Sequence, residues 1–290
     1  MKRLYPFILG ALAAACAQDN SVGPLANAPD PLAAVAGSSA SRRVVFGIDE
    51  SNTLVSFRPN APQQLLSVIG ITGLPAGERI LEIDFRPADG TLYGLGAASR
   101  LYRLDPSTGA ATALGVSAFA PALSGRMFGL DFNPTVDRVR LHSDAEQNLR
   151  LDPNTGAVAA MDGALAYEAA DVSAGVDPSI VGSAYTNSAL NNGTPPLTTV
   201  LYGIDQVTRT LVVSPSPNGG TLRTVGALGV TFGRAVGFDI ATSDNVALAS
   251  LNTGTTQTGL YRINLTTGAA TRVGDIGHRE RIIAISVRPE

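Results

Sequence analysis

Tryptophan is absent from the chain, cysteine occurs once, at Cys16, and histidine twice, at His142 and His278. A single cysteine cannot form an internal disulfide, so no covalent framework staples the fold. Two histidines and one thiol cannot assemble the histidine- and cysteine-rich sets that hold zinc. Lysine occurs only at Lys2; arginine carries the remaining basic charge, in no continuous block, and the net charge is −3. That balance excludes the electrostatic footprint of a nucleic-acid-binding protein. There is no P-loop, no dinucleotide fingerprint, no nucleophile elbow and no calcium-hand spacing. No cofactor and no metal site are expected. The apolar run at residues 4–15 is too short to cross a bilayer as a helix.

That run belongs to a leader. Lys2 and Arg3 supply positive charge ahead of it, and Ala13, Ala14 and Ala15 bring small residues up to Cys16. The arrangement resembles a bacterial lipoprotein processing site, where cleavage leaves a lipidated cysteine as the new N-terminus. The only cysteine of the chain stands at the leader boundary, which favours this reading. Ala13 departs from it, since lipoproteins usually carry leucine there. Ordinary signal-peptidase cleavage after Ala15 or Ala17 is the alternative. Residues 17–41 are rich in Ala, Pro, Asn, Ser and Gly without periodicity and read as a flexible tether. The expected organisation is a signal peptide over 1–16, a linker over 17–41 and one globular domain over 42–290. The expected address is the cell envelope as a membrane-anchored lipoprotein, or else the periplasm or exterior.

The domain repeats. Short apolar runs open at Ile80, Phe128, Ile180 and Val236, each followed by further short runs closed by Gly, Pro, Asp or Asn. The openings at Ile80 and Met127 lie 47 residues apart, a period that suits a four-stranded antiparallel propeller blade. A fifth opening strand starts at Ile282, where the chain is about to end, and the unit starting at Val44 lacks one. Pairing of that C-terminal strand with the N-terminal unit would close the ring and leave no exposed sheet edge. The expected fold is an all-β propeller of five blades. Six is the alternative if 116–126 or 187–199 hides strands. The repeated Asp-Pro-x-Thr-Gly reads as a turn, with glycine accepting positive φ, rather than as a metal loop.

Residues 131–156, DFNPTVDRVRLHSDAEQNLRLDPNTG, resemble the signature stretch of the family called domain of unknown function 4394. Shorter matches occur at 184–188, 201–205 and 237–240, and the resemblance runs over about 44–287. It implies an exported bacterial propeller without an established activity. His142 departs from the apolar residue the family pattern leads one to expect.

Two groups of polar residues fall on strands. On the second strand of the units, Tyr93 and Leu95 correspond to Phe46 and Ile48, Tyr202 and Ile204, and Ala247 and Ala249, but to Arg140 and His142 in the second unit. Arg138, Arg140, Gln147, Asn148 and Arg150 could line a pocket for an anionic or polar ligand. The favoured reading is an inter-blade network with Asp131, Asp137, Asp144 or Glu146 as partners. Asp84, Asp131 and Asp239 recur on opening strands, with Ser286 and Ala184 at the matching positions. They could converge on the channel, or each could close its own blade by accepting backbone N–H bonds, which the repetition favours. The function expected is a non-enzymatic module, a monomer, binding a polar ligand or an envelope protein. The alternative is a hydrolase or lyase acting on a sugar-like or other polar substrate at the channel mouth.

Overall fold

A computed structural model describes residues 42–254 and 257–290; the leader, Cys16 and the 17–41 tether lie outside the described residues. Five small sheets form a ring. The first blade is β1 (Val45–Asp49), β2 (Thr53–Arg58) and β3 (Ala61–Gly70), completed by the last strand of the chain, β21 (Ile282–Val287). The second runs β4 (Ile80–Phe85), β5 (Leu92–Gly96), β6 (Arg100–Leu104) and β7 (Ala111–Ala113). The third is β8 (Phe128–Asn133), β9 (Arg138–Ser143), β10 (Asn148–Leu151) and β11 (Val158–Met161). The chain then passes through a two-residue strand, β12 (Ala166–Tyr167). The fourth blade follows as β13 (Ile180–Tyr185), β14 (Leu201–Asp205), β15 (Thr210–Ser216) and β16 (Thr221–Ala227). The fifth is β17 (Val236–Ile240), β18 (Ala247–Leu251), β19 (Gly259–Ile263) and β20 (Ala270–Asp275).

The ring closes as the sequence leads one to expect. β21 pairs antiparallel with β1, Val45 opposite Val287 and Phe46 opposite Ser286. Residues 116–126 contain no strand, and 187–199 contain only an isolated bridge between Asn191 and Thr194, so the count is five. Periodicity gave no sign of β12, which lies parallel to β16 on the outer edge of the fourth blade. The Asp-Pro-x-Thr-Gly segments are turns. Gly109 and Gly156 take φ of 74° and 73°, as does Gly268 of the related Asn-Leu-Thr-Thr-Gly turn at 79°, and the Asp105 carboxylate accepts the Ser107 N–H at 2.8 Å.

The core sits between blades. At the seam of blades two and three, Tyr93 meets Phe132 edge-on at 5.0 Å between ring centroids, with Leu95, Leu101, Leu130 and Leu141 around them. Apolar clusters likewise span the seams of blades four and five, five and one, and one and two. The seam of blades three and four differs, because Arg140, His142, Asn148 and Ser183 are buried there instead. On the fifth blade the register places Leu248 opposite Asp239 and Ser250 opposite Gly237. Leu248 and Ser250, not Ala247 and Ala249, are therefore the counterparts of Tyr93 and Leu95. The run Val-Ala-Leu-Ala-Ser-Leu offers no polar alternation by which to fix that register.

Candidate binding site in the central channel

The five opening strands β4, β8, β13, β17 and β21 run in one direction around the channel. Their N-terminal ends define an upper mouth and their C-terminal ends a lower one. Near the lower end Asp84, Asp131 and Asp239 converge, with a carboxylate oxygen of each within 4.8 Å of the others.

Each carboxylate ties two blades together. Asp84 accepts the N–H of its neighbour Phe85 at 2.8 Å and that of Phe132 on the next blade at 2.9 Å. Asp239 accepts Ile240 and Val287 N–H groups, each at 2.6 Å. Asp131 accepts the Tyr185 N–H at 3.2 Å. Ser286, on the closing strand, accepts the Phe85 N–H and donates its hydroxyl to Asp84 at 2.8 Å. The bonding therefore extends beyond a single blade: each side chain also satisfies the backbone of the following one. Ala184 has no acceptor, and the seam of blades four and five goes without this bridge.

Burial pushes the Asp84 carboxyl well up, and the charge of Asp239 adds to it; burial does the same to Asp131, with repulsion from Asp84 and Asp239. Burial pushes Asp239 up to about 6 against the opposing N–H bonds from Val287 and Ile240. Three carboxylates this close need shared protons, or else a hard cation, for which they are suitable oxygen donors. The free space beside them is about 10 Å³, roughly one water.

The polar residues of the third blade separate into two sets. Arg140 is fully buried and bonded through all three of its nitrogens: it donates to Asn148 and Asp162 at 2.6 Å, to Asn218 at 2.7 Å and to the Tyr185 hydroxyl at 3.3 Å. Arg150 grips Asp162 in a two-point contact at 2.8 and 2.9 Å. Burial pushes the Asp162 carboxyl up, but the bonds from Arg150 and Arg140 outweigh it and hold the group below its usual range. The charge partner is thus Asp162, not Asp131, Asp137, Asp144 or Glu146. Arg138 and Gln147 lie apart. Arg138 is 3.6 Å from Asp152, and Gln147 donates to the Ala122 carbonyl at 2.9 Å. His142 meets the Ser183 hydroxyl at 2.9 Å through Nδ1. Burial, with the Arg140 charge beside it, pushes its pKa down to about 3, so the ring is neutral.

The upper end was not singled out by sequence reasoning. A chamber of about 190 Å³ opens there. Its belt is one apolar residue from each opening strand: Leu81, Phe128, Val181, Val236 and Ile283. Two residues before four of these stand Arg79, Arg126, Arg234 and Arg281, with Ser179 in the fifth place. The first three line the chamber, along with Glu50. All four arginines are exposed, and among the described residues none forms a salt bridge.

Glu82 also lines the chamber, although it is 94% buried. The equivalent positions hold Gly129, Gly182, Gly237 and Ala284. At Gly129 a Cβ would stand 2.6 Å from the Gly182 backbone, so the blades touch there through bare main chain. Glu82 has no side-chain partner among the described residues. Burial pushes its carboxyl well up, the Asp84 charge adds, and the Ile83 N–H eases it slightly. The signals that could have found this site are a glutamate where sister strands carry glycine, and an arginine repeated just ahead of four opening strands.

No curated protein matches the sequence. Among solved structures, a provisionally named 6-phosphogluconolactonase from Bacteroides uniformis is similar at 17% identity and a TM-score of 0.38. The match covers 85% of this chain and 71% of that one. At that score the likeness carries no argument. The family profile described as domain of unknown function (DUF4394) matches residues 53–286, and the chain belongs to that family.

Proposed function

We propose that the protein is a non-enzymatic binding propeller of the bacterial cell envelope that takes a small anionic ligand into the upper mouth of its channel. The observation that carries this reading is the set of three equivalent arginines without salt-bridge partners, Arg79, Arg126 and Arg234, lining a chamber with an apolar belt. A guanidinium held near a low-dielectric wall attracts carboxylate or phosphate more strongly than one on an open surface. The chamber is smaller than the roughly 300–1,000 Å³ usual for drug-sized ligands, which favours a small occupant. Hydrolysis finds less support. Its acid and base need an open approach, whereas Asp84, Asp131 and Asp239 are buried, bonded to backbone and beside space for about one water.

Calorimetric titration with three probes of equal apolar size tests the reading: butyrate, 1-propanol and propylammonium. Butyrate should bind, and Arg79→Gln with Arg234→Gln should abolish it. Equal binding of all three, or binding indifferent to the arginines, would remove the anion site. Export and anchoring are part of the proposal and rest on the leader and Cys16. Mass spectrometry of natively expressed protein should find a diacylglyceryl cysteine at the N-terminus; an unlipidated N-terminus at Ala17 or Gln18 would contradict it.

A further inference from the structure

We infer that the anionic group taken into the chamber is the carboxylate of a small α-amino acid with an aliphatic side chain, whose ammonium group is held by Glu50. This rests on the anion-binding reading of the same chamber and gives its ligand class.

The circle of positive charge at the mouth is broken on one blade. Arg79, Arg126 and Arg234 line the chamber from the second, third and fifth blades, and Ser179 takes the matching place in the fourth. From the first blade the chamber is lined by Glu50, in the β1–β2 hairpin, and not by Arg281. Glu50 is exposed and, among the described residues, its side chain has no hydrogen bond and no salt bridge.

The strand registers match Glu50 with Ala97, Asp144 and Gln206 of the next three blades. Asp144 accepts the N–H groups of Arg126 and Met127 at 2.7 and 3.2 Å. Gln206 donates to the Gly233 carbonyl at 2.9 Å. The polar side chains at these equivalent places are thus spent on main chain, whereas that of Glu50 is not. Charges of both signs therefore face one chamber, and no salt bridge joins Glu50 to the arginines. A single ligand that satisfies both carries a carboxylate and an ammonium, each in a charge-assisted hydrogen bond.

The order of residues from the mouth inward places those charges within the ligand. The arginines and the Glu50 hairpin stand at the mouth, and the belt of Leu81, Phe128, Val181, Val236 and Ile283 lies inward of them. Carboxylate and ammonium accordingly share one end of the ligand, and its hydrocarbon points to the belt. That is the arrangement of an α-amino acid. An ω-amino acid would carry its ammonium past the belt and away from Glu50, at a cost in desolvation. The chamber of about 190 Å³ suits a short side chain.

Calorimetric titration of the purified protein with butyrate, each enantiomer of 2-aminobutyrate, and 4-aminobutyrate tests the inference. The two aminobutyrates are isomers and differ only in where the ammonium sits. In wild type the tighter enantiomer of 2-aminobutyrate should bind about fivefold tighter than butyrate, as for one ion pair at a partly exposed site. It should also bind tighter than 4-aminobutyrate. In Glu50→Gln the preference for 2-aminobutyrate should vanish, while butyrate should tighten because a like charge has gone. Arg79→Gln should weaken every probe. Butyrate binding as tightly as 2-aminobutyrate in wild type, a preference that persists in Glu50→Gln, or 4-aminobutyrate binding tightest would each overturn the inference. Butyrate binding that still depends on Arg79 would then leave the anion site standing. Absence of binding by any probe would overturn both readings.

Discussion

At the lower end of the channel Asp84, Asp131 and Asp239 are buried, and each accepts backbone N–H groups across a blade seam. At the upper end Arg79, Arg126, Arg234 and Arg281 are exposed and form no salt bridge among the described residues. Both sets arise the same way, as one residue type repeated at equivalent places in most of the blades. Repetition therefore does not distinguish structural from functional charge. What distinguishes them is where the hydrogen bonds go. The lower carboxylates spend theirs on the main chain, so removing one should cost stability. The upper guanidiniums have nothing in the protein to lose.

The network around Arg140 follows the lower pattern, and the largest effect should be found there. Arg140→Ala strips a buried Asp162 of one cation and leaves Asn148 and Asn218 short of a donor. Breaking a buried pair in this way costs about 3–5 kcal/mol. Arg150 is 30% exposed, and in its absence Asp162 keeps Arg140. Arg150→Ala should therefore cost about 1 kcal/mol or less. Urea denaturation of both variants beside wild type measures the split; equal losses would mean that burial is not what sets the cost.

Asp84→Ala comes next. It leaves the buried Phe132 N–H without its acceptor and the Ser286 hydroxyl without Asp84, while relieving repulsion from Asp239. The net loss should be about 2–4 kcal/mol, against no comparable loss for any upper arginine. A tolerated Asp84→Ala would show that the seams hold by apolar packing alone.

The lower end also sets a pH dependence. The Asp239 carboxyl moves from 3.8 to about 6 on folding, and burial pushes those of Asp84 and Asp131 well up too. Between those values the native state holds protons that the unfolded chain has released, so stability falls as pH rises. Each proton contributes a slope of about 1.4 kcal/mol per pH unit over its window. Asp162, held below its usual range, acts oppositely and loses its contribution only as pH falls. Unfolding free energy should decline from about pH 4 through 6, and less steeply in Asp239→Asn. A hard cation seated among the three carboxylates would remove the decline, so titration with and without EDTA separates protons from metal.

The two ends were also unequally legible. The lower aspartates could be aligned because they recur beside a Phe or Ile in three opening strands, and their convergence follows from any closed ring. Ring closure was legible in the stranded repeat at Ile282 and in the unit starting at Val44, which lacks an opening strand. Asp162 was not legible, because it follows β11 on an irregular crossover whose path no periodicity marks. β12 was missed for the same reason: two residues cannot show alternation. The upper chamber is not legible in the sequence because Arg79, Arg126 and Arg234 precede the strands and Glu82 looks like an ordinary polar alternate. Only the comparison with Gly129, Gly182 and Gly237 makes it anomalous.

The smallest stability effect carries the most weight for function. A variant combining Arg79→Gln, Arg126→Gln and Arg234→Gln should unfold within about 0.5 kcal/mol of wild type, as exposed substitutions do. Its butyrate binding should be gone. The most direct measurement is urea denaturation and butyrate titration of that triple variant on the same preparation, beside wild type. Unchanged unfolding with lost binding is the result the account predicts. Unchanged binding, or a stability loss comparable with that of Arg140→Ala, would contradict it.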